Sequence, residues 1–203
     1  NLVDWEAFGL MMDLAMMGCG TGAIIEPRLI EKLPAILNPI RIKSVSEIGK
    51  TAPSARNEST TSIVDGNNVL IKVGDSRRGW VDSYQILLQL SSDPKFKGRT
   101  VNVTIDLEDV RPAGESLKGF GGMANPVKLK DLYPRIVKIL SKALGKRHKW
   151  DFLGFFREKG RQLTSIECCL LIDEAAVTIV AGNIRRSAGM RQFSSTDSKA
   201  SGA

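Results

Sequence analysis

The sequence is poor in the side chains that most enzymes use for chemistry. It has one histidine, His148, and three cysteines, of which Cys168 and Cys169 are adjacent and Cys19 stands apart. A metal site needs more ligands than these, and no Ser/His/Asp arrangement can be argued around a single histidine. An odd number of cysteines argues against a disulfide framework and for a reducing cytoplasm. We therefore expect three small core thiols, no metal and no catalytic residues in this chain.

Long apolar runs are missing as well. No stretch approaches the roughly 20 apolar residues that cross a bilayer, and no signal-peptide pattern occurs, so we expect no membrane partner. With 42% apolar residues among 203, the chain can still bury one sizeable core. It begins at Asn1 in a stretch typical of a packed helix and ends in the polar SSTDSKASGA. We expect a piece of a longer chain.

Basic charge is concentrated in one region. The formal net charge is +7, and residues 130–161 alone hold ten Lys/Arg against three Asp/Glu. A basic field over a whole protein suggests nucleic acid, whereas one basic segment is a weaker signal. We interpret this region as a solvated helix face followed by a loop, with a phosphate-binding surface as the alternative.

Periodicity predicts alternating helices and strands, hence the α/β class. Helical spacing covers residues 3–17, and DSRRGWVDSYQILLQL, residues 75–90, predicts a second helix with Trp80, Tyr84, Leu87 and Leu88 on one face. Residues 69–73 and the strictly alternating residues 101–107 predict strands. The Ser-, Thr-, Asn- and Gly-rich residues 44–68 predict a mobile insertion or long loop.

The remaining elements are predicted from caps and short apolar runs. A short strand is expected at residues 23–25 and a short helix at residues 28–37. Asp131 can cap a helix that runs to about Leu144, and Thr164 can cap a helix over residues 166–180.

Two glycine-rich stretches are candidate phosphate-binding sites. GCGTGA, residues 18–23, has the dinucleotide-binding spacing but follows a helix rather than a strand, so a helix-to-strand connection is the better interpretation. GFGGMANP, residues 119–126, can bring backbone N–H groups to phosphate or sugar oxygens through Gly119, Gly121 and Gly122. It can equally be a tight connection between barrel elements.

An arginine-bearing loop is the strongest candidate for chemistry. In AGNIRRSAGMRQ, residues 181–192, three arginines follow the end of an apolar run. Guanidinium groups stack on bases and fork onto phosphate oxygens, and flanking glycines let such a loop change shape. The alternative is a solvated turn with weak surface salt bridges.

Several ordered motifs together resemble one family. DLAMMGCGTGAII, DSRRGW, DVRPAGESLKGFGGMANP, RQLTSIE and DEAAVTIVAGNIRRSAGM resemble the adenosylcobalamin-dependent (class II) ribonucleotide reductases, particularly the monomeric ribonucleoside-triphosphate reductases. The resemblance implies a barrel of ten strands, of which this chain supplies part of the first half. Residues 1–26 correspond to the start of that half-barrel, residues 27–110 to an insertion that helps form the effector site, and residues 111–193 to its continuation. Residues 194–203 are expected to be a disordered tail.

The resemblance also implies roles for the loops. The specificity loop between effector and substrate nucleotides corresponds to residues 181–190, with Arg185 reaching the substrate base and Arg186 contacting phosphate or holding the loop. The candidate recognition residues are therefore Gly182, Asn183, Ile184, Arg185, Arg186 and Ser187 of this loop, together with Gly119, Gly121 and Gly122 from the spacing of the glycine-rich stretch.

For the complete enzyme, the resemblance implies reduction of ribonucleoside triphosphates to deoxyribonucleotides by thiyl-radical chemistry. It implies adenosylcobalamin bound mainly elsewhere, a deoxynucleoside triphosphate effector, thioredoxin as reductant and a monomer in the cytoplasm. No NPCGE-like radical loop occurs here, so we expect the fragment alone to be inactive. The alternatives are a basic nucleic-acid-binding module, whose binding weakens steeply with salt, and another class of ribonucleotide reductase.

Overall fold

A computed structural model describes residues 2–96, 98–116, 126–144, 160–179, 188–194 and 197. Helices and strands alternate along these residues, which confirms the α/β class. The helices are α1 (Trp5–Met16), α2 (Pro27–Ile30), α3 (Arg77–Ser92), α4 (Leu129–Lys142) and α5 (Ser165–Ile179). The strands are β1 (Thr21–Ile24), β2 (Ile40–Val45), β3 (Thr61–Asp65), β4 (Asn68–Lys72), β5 (Val101–Asp106) and β6 (Gly189–Gln192).

Four strands form one sheet in the order β2-β5-β4-β3. β5 lies at its centre, parallel to both β2 and β4. Its side chains alternate between buried and half-buried positions, and Val101, Val103 and Ile105 are fully buried. The alternation in the sequence therefore predicted this strand correctly, because one face of β5 packs into the core.

The prediction of a mobile insertion or long loop at residues 44–68 is wrong for the last part of this stretch. β3 lies in this stretch and forms an antiparallel hairpin with β4, closed at Gly66 with a φ of 56°. All five side chains of β3 are exposed. Because this edge strand is held by backbone pairing and buries no apolar face, its composition resembles that of a loop.

Two distant parts of the chain form a second sheet. β1 and β6 pair in parallel, with Thr21 opposite Gly189 and Ile24 opposite Gln192. The Thr21 N–H donates to the Ala188 carbonyl oxygen at 2.8 Å, and the Ile25 N–H donates to that of Gln192 at 2.8 Å. The glycine-rich stretch after α1 is a helix-to-strand connection, as predicted. The pairing of β1 with β6 places this connection beside the end of the arginine loop.

The helices form a layer in which α1 lies against both α3 and α5. Asp4 caps α1 by accepting a hydrogen bond from the Ala7 N–H at 2.8 Å. Both tyrosines are buried between helices, where Tyr84 donates to the Leu171 carbonyl oxygen at 3.1 Å and Tyr133 pairs with Ser83 at 2.9 Å. Burial raises the pKa of both phenols, so both remain neutral.

Two helix boundaries differ from the predictions. α4 begins at Leu129, directly after a 3₁₀ turn, so Asp131 lies in its first turn rather than at its cap, and Pro134 lies inside the helix. α2 ends at Ile30, well short of residue 37. The solvated basic face is confirmed where the structure describes it, since three basic residues of α4 are exposed: Arg135, Lys138 and Lys142.

The predicted cap of α5 is confirmed as a reciprocal capping box. The Glu167 N–H donates to the Thr164 hydroxyl at 3.2 Å, and the Thr164 N–H donates to a Glu167 carboxylate oxygen at 2.8 Å. Arg161 also donates to both Glu167 oxygens at 2.7 Å. Burial alone acts to raise the pKa of Glu167, but these hydrogen bonds outweigh it and hold the pKa below its ordinary value.

We expect Glu167→Gln to lower the free energy of unfolding by about 1–2 kcal/mol at pH 7, because the capping box and the charged pair with Arg161 are both weakened. A lowered folded-state pKa means that the carboxylate stabilises the fold above its ordinary pKa and loses this effect as the pH falls through the folded-state value. The difference in free energy of unfolding between Glu167→Gln and the wild type should therefore be smaller at about pH 3 than at pH 7.

Urea denaturation at both pH values measures this effect. Glu174→Gln on the same helix is the matched control, because Glu174 pairs with Arg135 at 3.2 Å near the surface. An equal loss of stability at both pH values in Glu167→Gln contradicts the assignment of the effect to the carboxylate.

Candidate functional site

A cavity of about 350 Å³ opens between α1, α5 and the β1–β6 sheet, and we refer to it as the α1/α5 cavity. Its described lining combines an apolar wall with a few polar groups, the composition typical of a ligand pocket. The apolar wall consists of Met11, Ala15, Ile172, Ala176 and Val177. The other lining residues are Thr21, Lys128, Asp173, Gly189 and Arg191.

The flanks of both predicted recognition segments reach this cavity. Val177 in the last turns of α5 precedes the predicted specificity loop, and Gly189 at the start of β6 is one of the last two residues of that loop. Lys128 follows the glycine-rich segment of residues 119–126 in sequence. The fold therefore brings the described ends of two segments, far apart in the chain, to one cavity.

The predicted recognition residues themselves lie outside the described residues. These are Gly182, Asn183, Ile184, Arg185, Arg186 and Ser187 of the specificity loop, and Gly119, Gly121 and Gly122 of the glycine-rich segment. Their roles stay predictions.

Arg191 is a cavity residue whose position the sequence did not indicate. The sequence groups it with the arginine loop, but it lies on β6 with only 14% of its side chain exposed. Its Nη2 donates to Asp173 Oδ1 at 2.9 Å, and its Nη1 donates to the Met190 carbonyl oxygen at 3.2 Å. The pairing of β6 with β1 buries Arg191, and nothing in the local sequence encodes that pairing.

A second cavity, of about 500 Å³, lies on the surface between α1 and α3. Its described lining includes two carboxylates, Asp4 and Glu6, and one cation, Arg78. Arg78 is already paired with Asp82 at 2.8 Å. A nucleotide phosphate carries negative charge, so the α1/α5 cavity, with two cations and one carboxylate, suits it better.

A buried ion network lies before the glycine-rich segment in the chain. Asp75 and Arg111 are 8% and 9% exposed. Arg111 donates its backbone N–H and Nε to Asp75 Oδ1 at 3.0 and 2.9 Å, and Nη1 to the Ser116 carbonyl oxygen at 3.1 Å. Arg56 Nη1 lies 3.7 Å from Asp75 Oδ2 and 2.6 Å from Glu115 Oε1. Residues of the DSRRGW and DVRPAGES motifs thus fix the backbone just before residue 117.

The three cysteines occupy different environments, and all are free. Cys168 is fully buried and Cys169 half-buried, and burial raises the pKa of both thiols. Cys19 is exposed, so the expectation that all three are core residues is wrong for Cys19. The connection between α1 and β1, which carries Cys19, lies on the surface.

In the described part of the chain, His, Cys, Asp and Glu side chains form no group of three or more that could hold a metal ion. Within the same residues, no helix combines the length and apolar character that crossing a membrane requires.

Part of the chain matches a known protein family, and most of it matches named proteins. Residues 41–140 match the model of the insertion domain of B12-dependent ribonucleotide reductases. Those residues run from β2 through α3 and β5 into α4. Proteins named as adenosylcobalamin-dependent reductases match most of the chain. Most of the chain is therefore similar to B12-dependent ribonucleotide reductases.

Two similar proteins show how much of a named reductase the chain matches. The adenosylcobalamin-dependent ribonucleoside-triphosphate reductase of Levilactobacillus brevis is 28% identical over 89% of this chain and 23% of its own length. That of Lactobacillus leichmannii is 25% identical over 94% of this chain and 24% of its own length. The chain thus spans about a quarter of the length of the relatives that it matches.

A crystal structure of a B12-dependent (class II) ribonucleotide reductase shares the fold. It superimposes with a TM-score of 0.70 at 22% identity, covering 95% of this chain and 25% of the other. The fold and the family inferred from the ordered motifs are confirmed. The domain limits at residues 26, 110 and 193 stay predictions.

Proposed function

We propose that this chain is the nucleotide-recognition part of an adenosylcobalamin-dependent ribonucleoside-triphosphate reductase. The complete enzyme replaces the 2′-hydroxyl of a ribonucleoside triphosphate with hydrogen and so supplies deoxyribonucleotides for DNA synthesis. The observation that carries this proposal is the α1/α5 cavity, where the flanks of residues 180–187 and of residues 117–125 come together. Its volume of about 350 Å³ lies within the range of small-molecule sites.

The specificity loop is assigned the discrimination between bases. The described elements on its two sides are α5 and β6. Arg185 contacts the base of the substrate, and Gly182, Asn183 and Ser187 supply the adaptable backbone. A loop touched by two ligands couples their binding, typically by about 1–3 kcal/mol.

The insertion is assigned to the effector site. A deoxynucleoside triphosphate binds where the insertion meets the half-barrel, and the insertion takes the place of a second subunit, which makes the enzyme a monomer. The packing of α3, an insertion helix, along α1 supports this assignment. The contact is close at Gly9, where a Cβ atom would lie 3.3 Å from Val81 Cγ1.

Adenosylcobalamin, the proposed cofactor of the complete enzyme, does not fit either described cavity. A corrin ring with its nucleotide tail is much larger than spaces of about 350 and 500 Å³. The three thiols do not form a reducing pair for thioredoxin either, because Cys168 is fully buried and Cys19 stands apart. We assign cobalamin binding, the radical step and the exchange with thioredoxin to other parts of the enzyme.

We expect Arg185→Ala in the complete enzyme to reduce the effector-dependent preference among substrate bases about tenfold or more, which corresponds to about 1.4 kcal/mol. The preference is measured as the ratio of kcat/KM values for two ribonucleoside triphosphates, with and without the matching effector. Arg41→Ala, at an exposed position of β2, is the matched control. An unchanged ratio in Arg185→Ala contradicts the role of the loop.

A further inference from the structure

Arg191 has an unusual hydrogen-bonding environment for a mostly buried arginine. A guanidinium group carries five N–H donors, and buried donors are almost always paired. Arg191 Nε is buried, and among the described residues nothing accepts a hydrogen bond from it. The guanidinium is nevertheless fixed in place by Asp173 and by the Met190 carbonyl oxygen. A fixed cation with an unused donor lines the α1/α5 cavity.

Gly189 makes room for this guanidinium. Residues 189 and 191 lie on the same face of β6, because side chains of a strand alternate. A Cβ atom on Gly189 would lie 2.7 Å from Arg191 Nη1 and 3.2 Å from Nη2. The side chain of Arg191 therefore folds back over Gly189, towards the end of the predicted specificity loop.

Lys128 supplies a second cation to the same cavity. It is exposed and lies in the 3₁₀ turn that leads into α4. Asp173 is the one carboxylate among the described lining residues, and its pairing with Arg191 offsets one positive charge. The described lining thus retains a net charge of +1, which favours an anion.

We propose that Arg191 and Lys128 bind a phosphate group of the nucleotide that occupies the α1/α5 cavity. Guanidinium and ammonium groups are the side chains that proteins use most for phosphate oxygens. The phosphate group accepts hydrogen bonds from the Arg191 guanidinium, and Lys128 contacts the same group. The identity of the ligand as a nucleotide rests on the proposed function, whereas the anion site rests on the geometry of Arg191, Gly189 and Lys128.

The test is calorimetric titration of the 203-residue chain with tripolyphosphate, which carries the charge of a nucleotide without its base. We expect Arg191→Gln and Lys128→Gln each to weaken binding at least tenfold. Arg41→Gln and Lys138→Gln are the matched controls, because both residues are exposed and line neither described cavity, so they should bind as the wild type does. Thermal unfolding of each variant establishes that it folds.

Two further variants separate the position of the guanidinium from its charge. Gly189→Ala displaces the guanidinium and leaves the net charge unchanged, so it should weaken tripolyphosphate binding several-fold. Arg191→Lys keeps the charge and loses the Nε–H, so its affinity should lie between those of the wild type and Arg191→Gln. Equal affinity in Gly189→Ala and the wild type counts against the proposed geometry.

The outcomes distinguish this inference from the proposed function. The anion site is overturned if tripolyphosphate does not bind, or binds the Arg191 and Lys128 variants as tightly as the wild type. If the complete enzyme discriminates bases through its specificity loop while these variants bind nucleotides normally, the inference fails and the proposed function stands. If tripolyphosphate binding depends on Arg191 and Lys128 but Arg185→Ala leaves the base preference unchanged, the anion site stands and the proposed role of the loop fails.

Discussion

Asp75→Ala is expected to lower the free energy of unfolding by about 3–5 kcal/mol, the cost typical of removing one partner from a buried ion pair. Asp75 accepts hydrogen bonds from the backbone N–H and the Nε of Arg111 and lies 3.7 Å from Arg56. Without the carboxylate, the mostly buried Arg111 keeps its charge but loses its counterion. A guanidinium does not lose its proton at accessible pH, so the chain has no means of relieving the charge.

Urea denaturation of the 203-residue chain, followed by circular dichroism, measures the loss in Asp75→Ala. Asp82→Ala is the matched control, because Asp82 pairs with Arg78 on the exposed face of α3, where such a pair contributes about 0.3–0.5 kcal/mol. Asp75→Asn keeps a hydrogen-bond acceptor, so its loss of stability should lie between those of Asp75→Ala and Asp82→Ala. A loss in Asp75→Ala no larger than in the control contradicts a stabilising role for the network.

Gly74→Ala is expected to destabilise the chain by about 3 kcal/mol, at the upper end for overpacking. A Cβ atom at this position would lie 2.6 Å from the Ser59 carbonyl carbon and closer still to the Glu58 carbonyl oxygen. Both atoms belong to the backbone, so they cannot move aside as a flexible side chain can. The close approach brings Thr60 to Gly74, whose N–H donates to the Thr60 hydroxyl at 2.9 Å.

The same close approach involves the first turn of α3. The Thr60 hydroxyl donates to the Gly79 carbonyl oxygen at 2.6 Å, and the Ser76 hydroxyl donates to that of Glu58 at 2.6 Å. Gly74→Ala therefore separates the connection before β3 from the start of α3 and breaks several hydrogen bonds at once. This packing also gives a physical reason for Gly79 in the DSRRGW motif, since a Cβ there would lie 2.7 Å from the Gly74 carbonyl oxygen.

Gly20→Ala is the control for this prediction. No atom lies within 4 Å of a Cβ placed at Gly20, and its φ is outside the left-handed region. Gly20→Ala should change the free energy of unfolding by no more than about 0.5 kcal/mol, as most surface substitutions do. Thermal unfolding of the wild type, Gly74→Ala and Gly20→Ala measures these effects. Similar melting temperatures for the two variants contradict the close approach.

Features that depend on neighbouring residues could be predicted from the sequence. The alternation around Val103 indicated the central strand, because burial on one face repeats every second residue. Thr164 and Glu167 indicated the start of α5, because a capping box needs only residues three apart. The family was inferred from ordered motifs, and the matches to known reductases confirm it.

Features that depend on distant pairing could not be predicted in the same way. β3 has five exposed side chains, and only its pairing with β4 identifies it as a strand. Arg191 became a cavity residue because β6 pairs with β1, which lies near the other end of the chain. Composition and spacing carry no information on which strands pair over such a separation, so the α1/α5 cavity could not be located from the sequence.

The most direct measurement is an experimental structure of the complete enzyme with a ribonucleoside triphosphate and a deoxynucleoside triphosphate effector bound. The account predicts that residues 181–187 lie between the two nucleotides, with Arg185 against the substrate base and a phosphate group within hydrogen-bonding distance of Arg191 in the α1/α5 cavity. A structure in which both nucleotides are bound, but neither contacts residues 181–187 or the α1/α5 cavity, contradicts it.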